Sequence, residues 1–175
     1  NSLWLPFTAG IRSQRTVPPM RLNLVFVGKT AFQDMHSAAE RYLERIRHYI
    51  PVTVHLVKAE RITAATGDDA VRERESHRML KLVGTQDYLV VWDRKGVHMD
   101  SEEFSGLIAG LRDRGTPNVW MVVGGPLGVS RTLTDRADSL LSFSRMTFPH
   151  DLARLVVLEQ LYRAFTIIRG EPYHK

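Results

Sequence analysis

Phe143-Ser144-Arg145-Met146-Thr147-Phe148-Pro149-His150 separates the last apolar strand pattern of the chain from its last helical pattern. A loop that opens on Phe-Ser and closes on Thr-Phe-Pro exposes backbone N–H and C=O groups beside apolar side chains. Such a loop suits a flat ring that is hydrogen-bonded at its edge and covered on its faces. Upstream, Val122-Val123-Gly124-Gly125-Pro126-Leu127-Gly128-Val129-Ser130 leads from a strand toward a short helix capped by Ser130. Glycine lets a ligand approach the backbone closely, and the helix start offers N–H groups. The spacing matches neither the Gly-x-Gly-x-x-Gly dinucleotide fingerprint nor a P-loop, and Gly128-Val129-Ser130-Arg131-Thr132 lacks the second glycine of a nucleophile elbow. Together the two loops read as a cofactor site.

The rest of the chain supplies supports for them. Arg21 to Val27 is a β-rich run ended by Gly28. From Thr30 to Pro51 the residues Met35, Ala38, Ala39, Tyr42, Leu43, Ile46 and Tyr49 recur at helical spacing, with Glu40, Arg41, Glu44, Arg45 and Arg47 on a solvated face. Val52 to Val57 is a second strand, with His55 satisfied within it. After a polar loop, Asp68 or Asp69 is expected to cap a helix reaching Val83. Its Arg72, Arg74, Arg78 and Lys81 form a solvated face or, as the alternative, touch nucleic acid.

A third strand, Tyr88 to Trp92, ends at Asp93-Arg94-Lys95-Gly96. Ligands of α/β sheets sit beyond strand carboxyl ends, so Trp92 is either an adenosine-pocket wall or a core indole. Asp100 with Glu103 has capping-box spacing, and Gly115 and Pro117 end that helix. Asn118 to Val123 and Ser139 to Phe143 are the remaining strands. A helix from Asp151 is apolar on more than one face: one packs the sheet and another needs a partner, most simply a second copy. Polar Glu159, Gln160 and Arg163 interrupt its apolar pattern, and Arg163 is a candidate substrate contact. The alternating order predicts an α/β domain with a largely parallel sheet.

A chain of 175 residues is one domain by size and buries roughly 70% of its unfolded surface. Its 24 Lys+Arg against 19 Asp+Glu favour a polyanionic partner. The absence of cysteine excludes disulfides, cysteine-based zinc sites and thiol nucleophiles, and fits a reducing cytoplasm. Residues 1–19 have no basic n-region and only a broken apolar run, so they read as a poor signal peptide, and the run is too short to span a bilayer. They are expected to be a non-native or disordered leader, with residues 20–175 forming the domain. If the leader is native, Arg12 and Arg15 are placed to touch RNA phosphate.

The run LSFSRMTFPHDLARLVVLEQLYRAFTIIRGEPYHK, with VVGGPLGVS before it, closely resembles the SPOUT-class methyltransferases of the RlmH type, across Met20 to Lys175. These enzymes methylate N3 of a pseudouridine in helix 69 of bacterial 23S ribosomal RNA. The resemblance implies a SPOUT-like parallel sheet flanked by helices, with a C-terminal trefoil knot. It implies a cytoplasmic homodimer that binds S-adenosyl-L-methionine, acts on large-subunit rRNA within the ribosome, and needs neither metal nor membrane. Cofactor contacts then fall on Trp92, Gly124, Phe143, Ser144, Arg145, Met146, Thr147 and Phe148. Tyr173, His174 and Lys175 complete the catalytic side by reaching the partner subunit's cofactor, and Arg163 is a further catalytic candidate. His174 is the expected base for the imide proton, Arg163 or Lys175 stabilises negative charge on the carbonyl oxygens, and Tyr173 stacks on the base. Two alternatives stay open. A non-catalytic RNA-binding module would not bind the cofactor, and a SPOUT methyltransferase for tRNA or another rRNA base would differ in its methyl acceptor.

Overall fold

The computed structural model describes residues 19–174. In chain order it contains β1 (Arg21–Val27), α1 (Gln33–Arg47), β2 (Val52–Val57), α2 (Asp68–Leu80), β3 (Tyr88–His98), α3 (Ser101–Asp113), β4 (Asn118–Val123), α4 (Arg131–Arg136), β5 (Ser139–Ser142) and α5 (His150–Arg169). The strands form one parallel sheet in the order β2-β1-β4-β3-β5. This is the α/β architecture that the alternating pattern implies.

Helices cover both faces, which is why the central strands read as unbroken apolar runs. Leu22, Leu24, Phe26 and Met121 pack on one face against Leu43 and Ile46 of α1, Ile108 and Leu111 of α3, and Leu158 and Leu161 of α5. Val25, Leu89, Val91 and Val122 pack on the other against Met79 of α2 and Leu133 of α4. Because β4 lies between β1 and β3, the chain leaving β4 must pass β3 before laying down β5. Three parallel strands thus end side by side, and their carboxyl ends frame one cleft.

Local chemistry explains where the sequence was legible. Asp100 accepts from Glu103 N at 2.7 Å while Glu103 accepts from Asp100 N at 2.8 Å, a complete capping box. Gly115 takes φ +73° at the end of α3, a conformation that side chains disfavour. His55 is indeed satisfied, with Nε2 3.1 Å from Asn23 Oδ1 and its ring 5.0 Å from that of Trp120.

Other boundaries differ. β3 runs on to His98 past a register shift between Trp92 and Val97, where charged residues read as a loop. Gly67, not Asp68 or Asp69, occupies the N-cap of α2 without a side-chain bond; both acids lie in the first turn, where they meet the helix dipole. That helix stops at Leu80, short of Val83, whereas α1 begins at Gln33, β5 ends at Ser142 and α5 begins at His150. The arginines of α2 are engaged locally: Arg72 with Asp69, and Arg74 and Arg78 with Glu60. The predicted leader, apart from Pro19, and Lys175 lie outside the described residues. No described helix is long and apolar enough to cross a membrane.

Candidate active site

A cleft of about 810 Å³ opens beyond the carboxyl ends of β3, β4 and β5. Trp92, Phe143 and Phe148 form its aromatic wall, with ring centroids 5.7 Å apart for Trp92 and Phe143 and 5.4 Å for Phe143 and Phe148. Trp92 also packs on Phe104 at 5.4 Å, so the core and pocket roles coincide in one indole. Its Nε1 is buried without a hydrogen-bond partner among the described residues.

The floor is the glycine turn. A Cβ on Gly124 would stand 2.8 Å from Val129 Cγ1 and 3.0 Å from the Gly128 carbonyl carbon, so a side chain there would force Val129 and the turn to shift. Gly128 N donates to Gly125 O at 2.9 Å to close the turn, and Gly128 takes φ +81°. Helix α2 braces it from behind: Ser76 Oγ accepts from Ser130 N at 2.8 Å, and Glu73 accepts from Thr132 at 3.1 Å.

Two serines shape the loop after β5. Ser142 Oγ donates to Ser144 O at 2.8 Å, and Ser144 Oγ accepts from Met146 N at 2.9 Å. Of the residues predicted to meet a cofactor, Trp92, Gly124, Phe143, Ser144, Met146, Thr147 and Phe148 line the cleft. Arg145 does not line it; it sits exposed within the serine-closed turn from Ser144 to Met146. Sequence reasoning missed Asp93, Arg94, Lys95, Arg131 and His150, which also line it. For Asp93, Arg94 and Lys95 the available signal was their place directly after the apolar part of β3; Arg131 and His150 open α4 and α5 and carried no such signal.

The start of α5 is fixed by a buried ionic group. Asp151 and Arg154 are 4% and 2% exposed. Asp151 Oδ2 accepts from Ala31 N at 2.8 Å, while Arg154 donates to Val27 O and lies 3.6 Å from Asp151 Oδ1. His150 Nε2 stands 3.2 Å from the same carboxylate oxygen. Burial, then the positive charge of Arg154, holds the His150 pKa below its ordinary value despite Asp151. Burial likewise lowers that of Arg154.

A second cluster sits from the middle of α5 onward, where the C-terminal tail returns to the helix. Arg163 donates from Nε and Nη2 to Glu159 Oε1 at 3.0 and 2.5 Å, and its Nη1 lies 3.4 Å from His174 Nδ1. Tyr173 donates to Glu159 Oε1 at 3.2 Å, beneath the Arg163 guanidinium at 4.8 Å. His174 Nε2 is 3.6 Å from Glu102. Glu159 raises the pKa of Arg163, and burial first of all raises that of Tyr173. Arg163, Tyr173 and His174 therefore meet, around a glutamate that the sequence pattern marked only as polar. None of the three lines the cleft: Arg163 lies 13 positions after His150, about 20 Å along the helix. Among the described residues no cluster of three or more His, Asp or Glu is placed to hold a metal ion.

A family profile described as "Predicted SPOUT methyltransferase" matches residues 20–174. A protein of Syntrophobacter fumaroxidans named ribosomal RNA large subunit methyltransferase H is 57% identical over 157 residues, covering 89% of this chain and all of that protein. Its namesake in Halothermothrix orenii is 43% identical over 159 residues, with the same coverage. Among solved structures, a probable methylase family protein from Haemophilus influenzae superposes with a TM-score of 0.54 at 11% identity, covering 91% of this chain and 72% of that one. At that identity the superposition speaks to fold alone.

Proposed function

The chain belongs to the SPOUT methyltransferase family, and from that premise we propose that it transfers methyl from S-adenosyl-L-methionine to large-subunit ribosomal RNA. The acceptor in this proposal is N3 of a pseudouridine in helix 69, and the enzyme is a cytoplasmic homodimer. What carries the reading is the cleft: a glycine turn in which a Cβ would crowd Val129, a loop whose backbone is shaped by serines, and an aromatic wall. The unpaired, buried Nε1 of Trp92 suits an acceptor atom of a bound nucleoside, since an orphaned buried donor costs about 1–3 kcal/mol. The residues present therefore fit the cofactor.

When bound, S-adenosyl-L-methionine supplies an electrophilic sulfonium methyl. The chain's own residues do the rest. The backbone from Phe143 to Phe148 and at Gly124 holds the ligand's polar edges, and Trp92, Phe143 and Phe148 exclude water. The imide N3 lies between two carbonyls and is a poor nucleophile until its proton leaves. His174 takes that proton, directly or through water, while Arg163 or Lys175 stabilises the charge spreading onto the carbonyl oxygens. Tyr173 stacks on the base. Orienting the reactants supplies much of the remaining rate.

The separation of cleft and tail within one chain favours a composite site, in which the tail of one protomer serves the cleft of its partner. Leu152, Leu155 and Val156 of α5 are only half-buried in the single chain, which supports pairing through this helix. The course of the chain past β3 into β5 supports the trefoil knot as part of the same proposal.

The test is transfer of labelled methyl to ribosomes lacking the helix 69 mark, with cofactor binding followed by calorimetry. Label mapped to pseudouridine N3 is expected; cofactor binding without label in ribosomes would move the acceptor to another RNA. Absence of both would leave an RNA-binding module. At a cofactor concentration limiting for the Gly124→Ala protein, mixing Gly124→Ala protomers with His174→Ala protomers is expected to give more activity than the two homodimers contribute separately, and failure to complement would sink the composite site.

A further inference from the structure

Most charged side chains around the cleft are already engaged. Arg72 is held by Asp69, Arg131 faces Asp135 at 3.5 Å, and Glu73 accepts from Thr132 at 3.1 Å. His150 lies against Asp151 at 3.2 Å, and Asp93 turns one oxygen back to Lys95 N at 2.8 Å. Arg94 and Lys95 differ. Both line the cleft and are exposed, and among the described residues neither side chain has a hydrogen-bond or ion-pair partner.

A built feature presents them. β3 pairs Trp92 with Leu141, leaves the register, and pairs Val97 with the same Leu141, so that residues 93–96 stand out from the sheet. Gly96 permits it, because a Cβ there would lie 2.6 Å from Leu141 O and 2.7 Å from Leu141 N. A bulge beside a cleft re-aims side chains that a regular strand would place on its faces. Met146, 75% exposed, contributes an apolar surface to the same lining.

We infer that Arg94 and Lys95 are a phosphodiester-binding pair that holds the backbone of the RNA strand entering the cleft. This rests on the RNA acceptor proposed above and adds the residues that grip it. The fork of Arg94 matches two phosphate oxygens, and Lys95 supplies a mobile point charge that tolerates any sequence. The cofactor's carboxylate shares this oxyanion chemistry. Two adjacent exposed cations beside an exposed methionine fit a run of phosphates and bases better than one carboxylate, which a single cation would satisfy.

Arg94→Ala, Lys95→Ala and the double variant, with Arg94→Lys as the charge-keeping control, are to be compared with the wild type. Two readouts are used: filter binding to protein-free large-subunit rRNA across a salt series, and calorimetry with S-adenosyl-L-methionine. Each alanine is expected to weaken RNA binding roughly fivefold at low salt, and the double variant to flatten the slope of log K against log salt by about 1.5. Arg94→Lys should keep the slope, and cofactor affinity should hold. An unchanged slope in the double variant overturns the inference. So does a loss of cofactor affinity with the slope intact, which would assign the pair to the carboxylate. Both readouts are independent of turnover: a wild type that binds rRNA with a steep slope yet methylates nothing would overturn the proposed reaction and leave the phosphate pair standing.

Discussion

Two clusters along α5, one at its start and one from its middle onward, are built from the same residue types, an acid, an arginine and a histidine, in opposite surroundings. At the first, Asp151 and Arg154 are almost wholly buried and grip the β1–α1 loop through Ala31 N and Val27 O. At the second, Glu159 and Arg163 retain 20% and 24% side-chain exposure and gather Tyr173 and His174 around them. Charges without water must be satisfied by the fold, so they are committed to structure. Charges that keep water can be redirected to a substrate at little cost in stability. The first cluster accordingly reads as a fixture for the cleft, and the second as chemistry held ready.

The largest expected effect lies at the buried cluster. Arg154→Met leaves Asp151 buried and uncompensated, and should cost about 3–5 kcal/mol in urea unfolding. Replacing both, as Asp151→Asn with Arg154→Met, should cost less than the single change. A single-variant loss below about 1 kcal/mol would break the contrast between the two clusters.

The exposed cluster should show the reverse pattern. His174→Ala is expected to shift stability by less than about 1 kcal/mol. Methyl transfer should fall by about 10²-fold to 10⁴-fold under the proposed base role. Full methylation at every pH by this variant would remove His174 from that role and leave the tail a docked terminus.

This contrast also marks what the sequence could tell. Unbroken apolar runs place β1 and β4, and period-2 and period-3.6 patterns place β2, α3 and α5, because burial on both faces or on one face is imposed directly on residue order. The glycine turn and the Phe143 to Phe148 loop were legible because glycine and aromatic-serine punctuation have few other uses. The Asp151–Arg154 group was not, since its partners Ala31 and Val27 are more than 100 positions away and contribute backbone atoms, which carry no residue signature. For the same reason Glu159 looked like one more polar interruption, although it joins Arg163 to Tyr173. The extension of β3 was hidden by Asp93-Arg94-Lys95: charged residues suggest a loop, yet the bulge lets them leave the sheet and the strand resume.

A smaller effect tests whether the cleft floor behaves like the buried cluster. Gly124→Ala forces a methyl against Val129 and the Gly128 backbone, an overpacking worth about 1–3 kcal/mol. The turn is a surface for ligand as well as a packed element, so calorimetry should show S-adenosyl-L-methionine affinity falling by about tenfold, as 1.4 kcal/mol would give. Lost stability with unchanged affinity would make Gly124 a packing residue only.

The smallest expected effect isolates burial itself. Glu75, 2% exposed on α2, accepts from Glu60 N at 2.9 Å through Oε1, while Oε2 has no partner among the described residues and faces Gly125 under the cofactor turn. Burial raises its pKa above the ordinary 4.5, opposed by the Glu60 N–H and by Arg78. The folded state therefore holds this proton more tightly than the unfolded chain does. Its contribution to stability is complete below pH 4.5 and is lost as pH rises through the higher folded value. Glu75→Gln keeps an acceptor for Glu60 N and removes the titration. It should be more stable than the wild type by about 1 kcal/mol at neutral pH, with the advantage vanishing in acid, as thermal unfolding at pH 7 and pH 4 would show. A variant less stable at both pH values would mean that the carboxylate is held by contacts outweighing its burial. Water exclusion would then not be what separates the two clusters of α5, and the division between fixed and available charge would have to rest on hydrogen-bond geometry instead.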